Sequence, residues 1–409
     1  MGQRMGRRIG LLAVLGLWGC QSPEEDLPPR SYASARPPTS GDILGSSAVL
    51  PLERSGPESI EIVARFWDAM PTGVTVATFG RIFVSFPRWG DPVPFTVAEL
   101  KDGKTVPFPN PDMNQLDPYR PGDTFVSVQS VVVDPLNRLW ALDTGSIEGG
   151  PVIPRGAKLV CIDLSTNSVR KVIHFPPDVA LKHSSLSDVR FDLRKGREGT
   201  AYITDSSSIA AAILVVDLAT GDSRRRLHDH PSTRAEPRFL PFVEGRELRR
   251  RPPGKATQYL SAGADGIALG ADGKRLYYCP LASRRLYSVD TDALRDERAA
   301  EETVAATVRD EGMKPASDGL ESDTMGRIYA TAYESGSIVR RQRDGIYETM
   351  VHDPRVLWPD TLSLADDGYL YFIVNQQHRQ KDYTGGVDLR KKPYVLFRVR
   401  TDGQPLGLR

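Results

Sequence analysis

The chain has 409 residues, 40% hydrophobic and 26% charged, with 53 Lys and Arg against 52 Asp and Glu. That is ample material for a core, and a length for two or three average domains or one large repeat fold. A net charge of +1 excludes a global electrostatic pull towards nucleic acid or an acidic partner.

The chain opens on "MGQRMGRRIGLLAVLGLWGC". Arg4, Arg7 and Arg8 form a positive start, and residues 9–18 form an apolar stretch too short to span a bilayer. The pattern predicts a secretory signal. It ends in Leu17-Trp18-Gly19-Cys20, which resembles a bacterial lipobox. That resemblance implies cleavage before Cys20 and lipidation of its thiol, with plain secretion as the alternative. The expected location is therefore the cell envelope, as an exported lipoprotein, or else a secreted or periplasmic one. Residues 20–58 are rich in Pro, Ser and Gly and carry few large apolar side chains, so they cannot bury enough surface to offset ordering. The expected division is a signal peptide at 1–19, a lipidated Cys20 with a flexible linker over 20–58, and a folded domain over 59–409. Cys161 and Cys279 lie in different repeats at non-equivalent positions, which predicts two reduced core residues.

From about residue 60, strand signals dominate. One phrase recurs: an inner strand, a tight turn and a second strand. "VTVATFGRIFVSFPRWG" opens the series. "VQSVVVDPLNRLWALDTG", "LSDVRFDLRKGREGTAYITD", "DGIALGADGKRLYYCP", "DGLESDTMGRIYATA" and "DTLSLADDGYLYFIVN" follow. Their Asp-Gly and Asn-containing turns tolerate positive φ, as hairpins require. Six such units predict an all-β, six-bladed β-propeller. The alternating strand "SIEIVARFW" (59–67) precedes the first unit, and is expected to complete the last sheet beside "YVLFRVR" (394–400).

In such a ring the inner strands begin at one mouth of the central tunnel, and the second strands end there. Gln129, Asp188, Asp265, Asp318 and Asp360 begin inner strands. Asp143, Asp205 and Asn375 end second strands. The sequence thus predicts a ring of carboxylates and amides at one opening. These acids repel one another unless a cation, a proton or N–H donors compensate. Two roles stay open for them: loop-fixing acceptors of backbone N–H groups, or contacts to a ligand or a hard metal ion.

The same phrases, in the same order from about residue 60 to 385, resemble the Yellow / major royal jelly protein family in its bacterial branch. The resemblance implies a six-bladed propeller and export. It also implies a link to pigment formation, nutrition or the binding of small amines, and for some members to dopachrome conversion. "DGIAL", "DGLES" and "PDTLSL" are in addition similar to gluconolactonase/SMP-30 propellers, which hold a divalent metal at the mouth. By motif position Asp318 matches a metal ligand there, and Asp265 sits where an Asn ligand is common. The similarity thus implies a divalent cation, calcium first. No residue of "FGRIFVSFPRW" matches the ligand Glu of the first blade. Ser187-Asp188 also stands where the Yellow-like phrase often reads Asn-Asp.

Arg88 and Trp89 close a strand near the mouth, where they would stack on or orient a ligand; alternatively Trp89 packs between blades, and Trp358 has the same two roles open. His378 is either an acid–base group or a solvated loop residue. The basic stretches 224–239 and 246–255 read as exposed loops, or as contacts to anionic lipid. H-E-x-x-H, P-loop, nucleophile-elbow and zinc-cysteine signatures are missing from the sequence.

Three functions follow. The first is a monomeric binder of a small polar or aromatic ligand at the mouth, touching membrane only through its anchor. The second is a lactonase or dopachrome-type isomerase using the same mouth, with a bound cation as Lewis acid and Asp188 or Asp360 as base. The third is a protein-interaction scaffold.

Overall fold

The computed structural model describes residues 60–409. The signal, Cys20 and linker expectations lie outside them. Six four-stranded antiparallel sheets account for nearly all the regular structure. Their inner strands are Val74–Val76, Val128–Val133, Leu186–Asp192, Ala264–Leu269, Leu320–Ser322 and Pro359–Leu364. Each touches the next, and the last touches the first, so the sheets close into a six-bladed propeller. Closure falls where the sequence places it. Glu61–Phe66 is the outermost strand of the sixth blade and pairs antiparallel with Tyr394–Arg400, Glu61 opposite Arg398 and Phe66 opposite Tyr394.

The turn residues behave as their chemistry requires. Asn137, Gly273, Gly326 and Gly368 all have positive φ in the inner hairpins. Two of these turns share a buried staple. Asp134 accepts from Arg138 Nε at 2.7 Å and Trp140 Nε1 at 2.8 Å; Asp323 accepts from Arg327 Nε at 2.6 Å and Tyr329 Oη at 2.9 Å. The core lies between neighbouring blades, as where Trp140 of the second stacks on Phe191 of the third at 5.1 Å.

Neighbouring blades share no backbone ladder, so hydroxyls satisfy the inner-strand groups. Val76 N donates to Ser363 Oγ at 3.1 Å, Val133 N to Thr75 Oγ1 at 2.9 Å, and Ser322 Oγ donates to Leu269 O at 2.7 Å. Close approach also explains the glycine after each acid in "DGIAL" and "DGLES". A Cβ on Gly266 would sit 2.5 Å from Asp318 O, and one on Gly319 would strike Asp360 O.

The C-terminal residues cross the face opposite the acid-ringed mouth. Thr324 N of the fifth blade donates to Gln404 O, and Leu193 N of the third donates to Leu408 O at 2.9 Å. Arg409 donates to Pro135 O of the second blade at 3.3 Å. Cys161 and Cys279 are buried free thiols, as expected. Among the described residues no helix is long and apolar enough to cross a membrane.

Candidate functional site

Four inner strands lose regular register where they meet the mouth: between Val128 and Ser130, Leu186 and Val189, Ala264 and Gly266, and Pro359 and Leu362. Gln129, Asp188, Asp265 and Asp360 lie inside these irregularities. A bulge frees a residue from strict alternation and re-aims its side chain. Asp318 is set differently: its N–H and that of Gly319 both donate to Thr331 Oγ1, at 2.9 and 3.1 Å.

Above this ring is a cavity of about 690 Å³. Gln129, Ser187, Asp265 and Asp318 contribute to its floor, and Trp89 and Lys381 to its rim. Two long connections form a canopy over it, one at 227–263 between the third and fourth blades and one at 375–393 within the sixth. They are tied together where Glu244 accepts from His378 Nε2 and Arg379 Nε, each at 2.8 Å, and where Arg250 meets Asp382 at 3.0 Å. Arg390 pins the second connection to Asp91 of the first blade at 2.7 Å.

Burial under this canopy sets the electrostatics. It raises the Asp318 carboxyl to about 7, helped by the nearby Asp188 charge and opposed by the Trp358 indole and Lys314. Asp360 is held well above the usual carboxylate range by burial, then by Asp318 and Asp265. Asp265 is raised by burial, then by Asp318 and Asp188. By surface exposure Asp265 is only half-buried. Its exposed part faces the recess rather than bulk water. Lower in the tunnel Arg190 donates to Asp188 Oδ2 at 2.8 Å and to Leu320 O at 2.6 Å. Glu321 stands 3.8 Å from the same guanidinium.

The expected site residues divide. Gln129, Asp265, Asp318 and Trp89 line the cavity, and Asp360 lies close enough to Asp318 and Asp265 to feel their charge. Asp143 and Asp205 do not reach it. Asp143 accepts from Val126 N, Ser127 N and Gly145 N and pairs with buried Lys158 at 2.7 Å. Asp205 repeats the arrangement with Ser185 N, Ser207 N and Arg225. Asn375 fills the equivalent place in the sixth blade, accepting from Gln377 N and donating to Asp360 Oδ2 at 2.6 Å. These three are loop staples. Arg88 turns away from the cavity, its guanidinium donating to Val126 O, Val93 O and Asn114 O. His378 is buried against Trp358 at 5.8 Å, not solvated.

The sequence reading passed over Arg190 and Glu321. The signal for Arg190 was present: in "SDVRFD" it stands two residues after Asp188, hence on the same strand face. Among the described residues, no three His, Cys, Asp or Glu side chains converge to hold a metal ion. Asp265 and Asp318 share the floor without forming such a set.

A closed ring of six blades with a recessed polar cavity at the acid-ringed mouth defines a six-bladed propeller with a candidate ligand site. Residues 126–404 match the family described as major royal jelly protein, and the chain belongs to that family. Major royal jelly protein 1 of Apis mellifera is 28% identical over 226 residues, covering 53% of this chain and 49% of that protein. Protein yellow of Drosophila melanogaster is 26% identical over 249 residues, covering 58% of this chain and 44% of that one. The chain thus spans about half the length of the curated relatives it matches. Among solved structures, a putative gluconolactonase superposes with a TM-score of 0.52 at 13% identity, over 86% of this chain and 95% of that one. A calcium-binding regucalcin from Agrobacterium tumefaciens gives 0.50 at 13% identity, over 84% and 97%. At such identities the likeness is one of fold.

Proposed function

We propose that this protein is an exported, lipid-anchored propeller that binds one small polar or aromatic ligand in the mouth cavity. The observation that carries the reading is a cavity of about 690 Å³ with two carboxyl groups in its floor, Asp265 and Asp318. Among the described residues, Asp318 accepts a hydrogen bond at one of its two oxygens. Part-satisfied polar groups in a low-dielectric recess are costly, and a ligand bearing hydrogen-bond donors would complete them. The cavity volume suits a metabolite-sized molecule, and Trp89 and Tyr383 add aromatic side chains to its lining. Calorimetry with small amines and aromatic metabolites tests this. One saturable site is expected, weakened at least tenfold in Asp265→Asn and Asp318→Asn; equal affinity in both variants would sink it.

A second reading, turnover at the same mouth, is favoured by one observation: a carboxyl near pH 7 at Asp318 suits proton transfer at neutral pH. Lactones and quinone-like compounds are the substrates to try. Product formation that disappears in folded Asp318→Asn would decide for it. The anchor rests on Leu17-Trp18-Gly19-Cys20. Labelled palmitate should enter the wild-type protein and not Cys20→Ser.

A further inference from the structure

The similarity to gluconolactonase/SMP-30 propellers implies a divalent cation at this mouth, which raises the question of what balances the acids here. Several of the oxygens a cation would need are already taken. Asp318 Oδ2 accepts the Trp358 indole N–H at 2.7 Å. Asp188 Oδ2 accepts from Arg190 at 2.8 Å, and its Oδ1 from Ser130 Oγ at 2.7 Å and Val189 N at 2.8 Å. Asp360 Oδ2 accepts from Asn375 at 2.6 Å. The Ser187 and Ser206 hydroxyls beside Asp265 act against the burial that raises its carboxyl. Calcium takes roughly six to eight oxygens and magnesium about six, and among the described residues no three His, Cys, Asp or Glu side chains converge to supply them.

The donors in their place are fixed. Arg190 is buried, and its guanidinium also donates to Val189 O at 2.8 Å and Leu320 O at 2.6 Å. Lys314 is buried close enough to Asp318 to act on its charge. Trp358 is fully buried, sandwiched between Tyr333 at 4.3 Å and His378 at 5.8 Å. Its backbone has φ 61°. A bulky side chain in the left-handed region is rare and persists only where its surroundings impose it. Here the strained backbone delivers the indole N–H to Asp318.

We propose that the mouth is a metal-independent site, in which the Arg190 guanidinium balances Asp188 and the Trp358 indole N–H occupies one oxygen of Asp318, in place of a divalent cation. Trp358 is then a positioning residue that leaves Asp318 Oδ1 as the oxygen presented to the cavity. This rests on the reading of the mouth as a ligand site, but its test needs no ligand, so the two fail separately.

Two measurements test it. Elemental analysis of the dialysed full chain, with calcium alone titrated by calorimetry, should give no near-stoichiometric ion and no saturable binding at millimolar calcium. A near-stoichiometric ion, or saturable calcium binding that is lost in Asp318→Asn, would overturn the proposal. Trp358→Phe keeps a ring in the sandwich and removes the N–H. In the folded variant the carboxyl carbon resonance of Asp318, assigned by its loss in Asp318→Asn, should shift, while those of Asp143 and Asp205 stay. An unmoved Asp318 resonance would overturn the positioning role.

Discussion

Lys158 Nζ lies 2.7 Å from Asp143 Oδ2, with both side chains wholly out of water. Asp143 began, in the sequence, as one member of a ring of similar acids. The structure separates that ring into acids that the protein has fully satisfied and acids that it has not. Removing one partner of a buried pair leaves an uncompensated charge and costs about 3–5 kcal/mol. Lys158→Met should therefore lower stability by that much in urea denaturation. A loss under 1 kcal/mol would show that the staple contributes little.

The opposite class behaves in the opposite way. Asp318 rises from the usual 3.8 to about 7 in the folded chain. Between those values the native state keeps a proton that the unfolded state releases, so stability falls as pH rises through that window. Asn at this position has no such proton. Asp318→Asn should match wild type at pH 4 and melt a few degrees higher at pH 8. A variant less stable than wild type at pH 8 would contradict the burial argument.

The canopy tie at Glu244 follows the usual rule for a carboxylate. Arg379 first, with burial opposing and His378 assisting, holds Glu244 at about 2 against the usual 4.5. A lowered carboxyl stabilises above its unfolded pKa, and that stability is lost as pH falls from about 4.5 towards 2. The Glu244 side chain is 37% exposed, so screening reduces the gain to about 1 kcal/mol. Glu244→Gln should cost that much at pH 7 and progressively less as pH falls towards 2, measured as the difference in unfolding free energy.

Gly319 tests the spacing of the inner strands. A Cβ there would strike the Asp360 carbonyl of the next blade. Gly319→Ala should cost about 1–3 kcal/mol, the usual range for overpacking. Thermal melts would read it directly, and an unchanged melt would mean that the two blades can part without strain.

The fold was legible because a propeller repeats. Six hairpin phrases, their Asp-Gly and Asn turns and the Glu61–Phe66 closure are all local patterns with a fixed period. The acid ring was legible for the same reason, since Asp265, Asp318 and Asp360 occupy one position of the repeat. What escaped was set by contacts without a period. The bulges that aim Gln129 and Asp265 leave no mark on composition. Trp358 meets Asp318 across 40 residues of chain. The basic segment 246–255, read as an exposed loop or a lipid contact, brings Arg250 into the cavity wall and against Asp382. Irregular connections carry no periodicity, so only the folded ring shows which of them meet.

The central claim is that the unsatisfied acids of the floor are a ligand site. The most direct measurement is a thermal-shift screen of amines, aromatic metabolites and lactones on wild type and Asp318→Asn in parallel at pH 7. The account predicts at least one compound that raises the wild-type melting temperature and loses that effect in the variant. Compounds that stabilise both proteins equally would place binding elsewhere and contradict it.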